Sequence, residues 1–346
     1  MKTELIKAVA PTRICDVGGW TDTHFAKFGS IFNIAIYPYV EVQICTLPSI
    51  NTDNRIVISA DNYGDTYSIS PNKIGYGKHP MLEAAIKKMS IPENISFKIN
   101  IYSYAPPGAS MGTSAAVSVA LIGALDALTP NHLTAHEVAA FAHSIETDEL
   151  NLECGIQDQM SSAYGGINFI DMYKYPHASI SKVQTDPKTL WELEQRLLLV
   201  YIGTPHCSSE VHKKVISNLG INAYKDNRIC RLRELASMAK NALFDNDLNA
   251  LGYIFNENTN IQRALHKELV CDKFEEIISI AKEFNAIGCK VNGAGGDGGS
   301  IAILTNGDMA VKRKMEKIIV EKGYYTLPVY LSADGLKVWK TKTVNH

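Results

Sequence analysis

The chain has 346 residues, 46% of them hydrophobic and 20% charged, with 34 Lys and Arg against 36 Asp and Glu, a net charge of −2 at pH 7. That composition supports a sizeable core and a length of about two domains, and it excludes a wholly disordered chain. The near-neutral balance offers no general basic surface for nucleic acid or an anionic membrane.

Residues 1–75 read mostly as strands: ELIKAVA, SIFNIAIYPYVEVQICTL and RIVISA, punctuated by Gly, Pro, Asn and Asp. HPMLEAAIKKMS at 79–90 has helical spacing, and ISFKINIYSYA at 95–105 alternates as a strand. PPGASMGTSAA then leads into an apolar helix, VSVALIGALDAL, and a further helix covers 136–150. Strands are expected at 167–173 and 197–203. Amphipathic helices are expected at 208–219, 225–243, 246–264 and 272–284. CKV at 289–291, IAIL, a helix at 308–322 and a strand near 325–331 close the chain. Mixed rather than alternating elements point to an α+β fold with largely antiparallel sheets. We place a domain boundary near 190, in the charged stretch KTLWELEQR, dividing the chain into 1–190 and 191–346.

The seven cysteines, at 15, 45, 154, 207, 230, 271 and 289, include no CxxC pair. An odd, unpatterned set is a poor disulfide framework and fits a reducing, cytoplasmic compartment. The start of the chain, MKTELIKAVAP, has no apolar signal core. No run of about 18 apolar residues predicts a membrane span. Neither nucleic acid nor membrane is expected as a partner, and composition does not address the oligomeric state.

Four segments carry chemistry. In the first, Pro106–Ala116, prolines forbid helix, while Gly108 and Gly112 let the backbone approach a ligand. Thr113 and Ser114 are placed to cap the helix that follows, whose free N–H groups suit phosphate. The loop is neither GxxxxGK[ST] nor GxGxxG, and an ordinary capped turn is the alternative. In the second, Gly18-Gly19-Trp20-Thr21-Asp22, a carboxylate, a hydroxyl and an aromatic face suit a sugar. A turn-serving Asp22 with Trp20 in the core is the competing account. Third, Glu146 and Asp158 are twelve positions apart and can divide metal holding from proton handling, or be two solvated acids. In the fourth, residues 293–299 hold five glycines in seven positions, a backbone passing close to something or a flexible hairpin.

In order and spacing these segments resemble the GHMP kinase superfamily, named for galactokinase, homoserine kinase, mevalonate kinase and phosphomevalonate kinase. APTRICDVGGWTDT, PPGASMGTSAA and KVNGAGGDGGS are similar to its three motifs, across residues 10–300. The resemblance implies a two-domain fold, the N-terminal part like ribosomal-protein-fold kinases and the C-terminal part ferredoxin-like, with the site in the cleft between them. It implies ATP and Mg²⁺. Pro107, Gly108, Ala109, Ser110, Met111, Gly112, Thr113 and Ser114 would wrap the phosphates. Ser114, with Thr113 as second choice, and Glu146 would hold Mg²⁺. Asp158 would accept or orient the acceptor proton, and Arg13 would neutralise charge beside it. Gly19, Trp20, Thr21 and Asp22 would hold the sugar, supported by Gly295 and Gly296. Two positions depart from the pattern: Ser110 and Asp297 stand where glycines are usual, and Asp297 suits phosphates only if it points away or meets Mg²⁺.

The Gly-Gly-x-Thr-Asp turn is similar to D-glycero-D-manno-heptose 7-phosphate kinases and L-fucokinases, and lacks the Glu-His pair with which galactokinases grip galactose. The implied reaction is phosphorylation of an anomeric hydroxyl. Ser208, Ser209, His212, Lys213 and Lys214 read either as a cradle for an acceptor phosphate or as a solvated helix start; His206 and Cys207 are given no role. Three alternatives remain: a free sugar such as L-fucose, a non-sugar GHMP substrate such as mevalonate or homoserine, and a non-catalytic sugar sensor. A nicotinamide enzyme is excluded by the missing fingerprint.

Overall fold

A computed structural model describes residues 4–47, 55–70, 74–130, 132–204 and 208–342. In chain order the strands and helices are β1 (Glu4–Val17), β2 (Gly29–Leu47), β3 (Ile56–Ala60), β4 (Asp65–Ile69), α1 (Pro80–Lys88), β5 (Ser96–Ser103), α2 (Thr113–Asp126) and α3 (Ala135–Ser144). They continue with α4 (Gln157–Tyr164), β6 (Ile167–Lys174), β7 (His177–Lys182), α5 (Pro187–Arg196), β8 (Leu197–Tyr201), α6 (Ser208–Leu219), α7 (Asn227–Phe244), α8 (Leu248–Leu265) and α9 (Asp272–Glu283). The last are β9 (Gly288–Val291), β10 (Ser300–Leu304), α10 (Met309–Glu321), β11 (Tyr325–Leu327), β12 (Tyr330–Leu331) and β13 (Lys337–Lys342).

Among the described residues the strands form two sheets. The nine-stranded sheet runs β13-β1-β2-β5-β3-β4, with β12 and the β6–β7 hairpin on β2. The four-stranded sheet runs β11-β8-β10-β9. Only β3–β5 is parallel among these pairs, so the expected α+β fold with largely antiparallel sheets is what forms. The second half of β2 alternates buried and half-buried side chains, the mark of a strand with one covered face. LLLVY in β8 instead buries both faces. Leu197 and Leu199 join one core with Leu235, Phe255 and Phe32; Leu198 and Val200 join another with Phe274, Ile277 and Ile319.

α2 is buried along most of its length against the large sheet. Gly123 permits that approach: a Cβ there would lie 2.7 Å from Leu336 Cδ2.

Three expectations change. The charged stretch read as a boundary is helix α5, capped by Asp186, which accepts from Thr189 N at 2.8 Å, and anchored by the fully buried Leu193. The single strand expected near 325–331 is two, β11 in the small sheet and β12 in the large one. β13, not anticipated, adds an edge strand to β1. The division at 190 remains a proposal, with residues 330–342 returning to the first sheet. No helix among the described residues is long and apolar enough to cross a membrane.

Candidate functional site

A cleft of about 620 Å³ opens where the two glycine segments, the start of α2 and the start of α4 meet. β1 supplies its floor. The ladder with β2 slips at Pro11/Thr12 and at Ile14/Val17, and such irregularities re-aim side chains. Between them Arg13, 4% exposed, turns inward. Its Nε donates to Asp158 Oδ1 at 2.7 Å, its NH1 donates to Ser110 O, and its backbone N donates to Met111 O at 2.9 Å. Burial works against the Arg13 charge, but Asp158, Asp16 and Asp22 outweigh it and its pKa ends above the ordinary value.

Residues Pro107 to Ser114 all line the cleft. The side chains of Ala109 and Met111 are buried in the core behind, so at those positions the loop presents backbone. Ser110 adopts φ 57° and Gly112 φ 69°. Ser110 therefore takes a glycine-like conformation at some cost. At Gly112 a Cβ would lie 3.1 Å from Asp158 Cγ, so the conformation favours glycine and a side chain there would press on Asp158. Thr113 and Ser114 were expected to cap α2. They do not: Gly112 is the N-cap and no side chain caps the helix, which leaves its positive end to the cleft. Ser114 is exposed, and Thr113 Oγ1 is buried without a partner.

Glu146 sits in a π-helical turn, Ile145–Glu149, at the end of α3, a feature frequent at functional sites. Gln159 Nε2 donates to its Oε1 at 2.7 Å. Burial raises Glu146 to about 7 against that bond, and the charge of Asp158 adds to the rise. Glu146 and Asp158 are therefore not solvated acids but two carboxylates of one cleft.

Asp22, 1% exposed, accepts from Gln157 N at 3.1 Å and so caps α4 from a turn 135 residues away in sequence. Burial pushes its carboxyl up to about 7. Gly155 leaves room for it; a Cβ there would lie 2.0 Å from Asp22 Oδ2. Trp20, at φ 79°, packs with Val215, Ile229, Leu232 and Leu265, and it also lines the cleft.

Four substrate expectations shift. Thr21 is fully buried, and its hydroxyl donates to Gly18 O at 2.8 Å and accepts from Ser30 N at 3.2 Å, so it holds the turn instead. Gly19 packs on Asp16, where a Cβ would lie 2.7 Å from Oδ2. Gly295 and Gly296 pack against the 269–270 segment, with Gly296 N donating to Leu269 O at 3.2 Å. Gly293 and Ala294 line the cleft in their place. Asp297 is exposed and points away from it. Of the expected phosphate cradle, the side chains of Ser208, Ser209 and His212, and all of His206 and Cys207, lie outside the described residues. Lys213 and Lys214 are exposed, and Lys214 pairs with Glu268.

Sequence reasoning missed Asp16, Gln159 and Lys290. Lys290 hides in an apolar strand, wholly buried, and reaches Asp16 Oδ1 at 3.4 Å. Burial lowers its pKa, with Asp16 opposing.

Among the described residues no three His, Cys, Asp or Glu side chains gather to hold a metal alone. The two expected ligands, Ser114 and Glu146, both line the cleft and offer oxygen. That set fits Mg²⁺, which is held by one or two carboxylates together with substrate phosphates.

Residues 80–166 match the family model "GHMP kinases N terminal domain". A D-glycero-alpha-D-manno-heptose 7-phosphate kinase of Campylobacter jejuni is 24% identical over 98% of this chain and 100% of its own. A bifunctional fucokinase/GDP-fucose pyrophosphorylase of Arabidopsis thaliana is 25% identical over 94% of this chain, which spans 32% of that longer protein. A mevalonate kinase of Pyrococcus furiosus is 28% identical over 88% of this chain and 91% of its own. The same fold appears in the crystal structure of a D-glycero-D-manno-heptose 1-phosphate kinase from Bacteriodes thetaiotaomicron, with a TM-score of 0.79 at 21% identity, covering 98% of this chain and 100% of that one.

Proposed function

We propose, for a chain that carries a GHMP kinase N-terminal domain and is a phosphotransferase with an alcohol group as acceptor, in-line transfer of the ATP γ-phosphoryl group to a sugar hydroxyl. The observation that carries this is the Arg13–Asp158 pair, 2.7 Å apart, beneath a glycine loop and an uncapped helix start. The backbone of 107–114 would cradle the phosphates. A second pocket, of about 230 Å³, adjoins that loop and is lined by Tyr63, Pro80, Leu82 and Val117; it suits the base. Ser114 and Glu146 would hold Mg²⁺, which when bound neutralises charge on the phosphates. Asp158 would orient the acceptor hydroxyl and take its proton. Arg13 would balance the charge that develops beside it. Asp22, fixed on α4, would hold the sugar.

The acceptor we favour is the anomeric hydroxyl of D-glycero-D-manno-heptose 7-phosphate. The Gly-Gly-Trp-Thr-Asp turn and the near full-length match to a heptose phosphate kinase support it. One observation favours a free sugar such as L-fucose: among the described residues Arg13 is the one Lys or Arg that lines the cleft, so an acceptor phosphate finds no second cation there. We place the protein in the cytoplasm, on its odd and unpatterned cysteines.

The test is ADP release with heptose 7-phosphate, mannose, L-fucose, galactose, mevalonate and homoserine. Turnover with heptose 7-phosphate alone supports the first reading, and turnover with a free sugar selects the second. Turnover with mevalonate or homoserine alone ends the sugar reading. Asp158→Asn should cut turnover about a thousandfold or more while ATP binding stays within about threefold. Near wild-type turnover in that variant removes Asp158 from the mechanism.

A further inference from the structure

Lys290 is wholly buried in β9, and no step proposed above uses it. Its Nζ has two side-chain partners, Asp16 Oδ1 at 3.4 Å and Gln262 Oε1 at 3.3 Å, and it donates to Val291 O. Those two partners hold both backbone polar groups of one residue. Asp16 Oδ1 accepts from Gly293 N at 2.9 Å, and Gln262 Nε2 donates to Gly293 O at 3.2 Å. Gly293 is the glycine of the second loop that lines the cleft, beside Arg13 and Ser110. A Cβ there would stand 3.1 Å from Ser110 O and 3.4 Å from Arg13 NH2. The same polar cluster reaches the first glycine turn. Cys15 N donates to Asn292 Oδ1 at 2.9 Å, Gly18 N donates to Asn258 Oδ1 at 2.9 Å, and Asn258 donates to Gln262 at 3.2 Å.

We propose that Lys290 is a positioning residue for the transfer step: through Asp16 and Gln262 it clamps the Gly293 backbone on both sides, and so fixes the part of the cleft wall that packs against Arg13. A buried cation is a costly way to fill a strand position. What it supplies here is a charge between two acceptors, each of which also grips the loop. Without it, Asp16 keeps its bond to Gly293 but loses the cation that orients it, and Gln262 loses a donor. The Gly293 wall then moves relative to Arg13, and small misplacements of a reacting centre cost large factors in rate. The inference rests on reading the cleft as the transfer site.

The test is Lys290→Met, with Lys290→Met/Asp16→Asn as the second variant, in which no buried charge is left unpaired. The expected result is a kcat at least about tenfold below wild type, with KM for ATP and acceptor within about threefold. Amide exchange in the peptide covering 292–296 should rise while exchange in α2 does not. If the single variant fails to fold, the double variant decides. A folded variant whose turnover lies within about twofold of wild type, or whose 292–296 exchange is unchanged, overturns the proposal. The exchange arm needs no acceptor, so a chain that phosphorylates nothing on the panel sinks the kinase reading while the clamp is still decided.

Discussion

At the residue scale, two carboxyls, Asp22 and Glu146, are held near 7 by burial. In the unfolded chain both lose their protons near 4. Between those values these two groups bind more protons in the folded state than in the unfolded one, so their contribution to stability falls as pH rises from about 4 to about 7. His143, which burial lowers to about 4, offsets only part of that fall below about 6.5. The ligand-free protein should therefore melt at a higher temperature at about pH 5 than at about pH 7.5, and Glu146→Gln should flatten that slope. Turnover should run the other way. Holding Mg²⁺ and accepting hydrogen bonds from a sugar both need the ionised forms, so kcat/KM should climb as pH passes through about 7. A melting temperature that rises over the same interval, unaltered in the Gln variant, would contradict the raised carboxyls. The residues that sequence placed in the cleft lie in the glycine loop or in segments that resemble the family motifs. Glycines and prolines dictate the 107–114 loop, whereas the roles of Glu146 and Asp158 came from the resemblance to the GHMP motifs and not from their spacing alone. Thr21, Gly19, Gly295 and Gly296 were assigned by nearness to a motif, which does not say which way a residue faces. Lys290 was out of reach for a different reason: its partner Asp16 is 274 positions away.

At the element scale, periodicity located most of the helices, and it failed at α4, the eight-residue helix that carries Asp158, and at α5. At α5 the charged stretch KTLWELEQR was read as the place of a domain boundary and given no helix, although Asp186-Pro187 just before it is a helix start. What the pattern concealed is that one leucine carries the packing. Leu193 is fully buried in the core shared with Leu235, Leu251 and Phe255, whereas Trp191 stays 60% exposed. Leu193→Ala should cost about 2–5 kcal/mol in urea unfolding, the range for a truncated core leucine, and Trp191→Ala should cost far less. A Leu193 value under about 0.5 kcal/mol would mean that the helix is not anchored in that core. β13 escaped notice because its sequence, KVWKTK, mixes lysine with apolar residues. On an edge strand that mixture is expected, since lysines discourage pairing with another chain.

At the scale of the whole molecule, the question is whether the proposed division near 190 separates two folding units. The chain returns to its first sheet after leaving the second: Ser332 N donates to Ala35 O at 3.0 Å, Gly166 N donates to Ser332 O at 2.6 Å, and Leu336 N donates to Ala163 O at 3.2 Å. One core is also common property. Ile14, Phe32, Ile34 and Ile167 from the first part pack with Leu199, Leu235, Phe255 and Ala302 from the second. A fragment ending at 190 would expose that apolar face and leave β1 and β2 without β13 and β12. The division is thus one of layout, and unfolding should be a single cooperative event. The three tryptophans, Trp20, Trp191 and Trp339, sample the cleft, the junction and the returning edge. Their fluorescence should change in the same transition as far-UV circular dichroism, and residues 1–190 expressed alone should aggregate. Two resolved transitions, or a soluble 1–190 fragment with its own cooperative melt, would mean that the shared core adds little. The expected single transition also has a functional consequence. The cleft takes Arg13 from β1, Asp158 from α4 and Gly293 from the loop after β9, so a ligand bound there bridges both parts and should raise the temperature of the whole transition, not of one half of it.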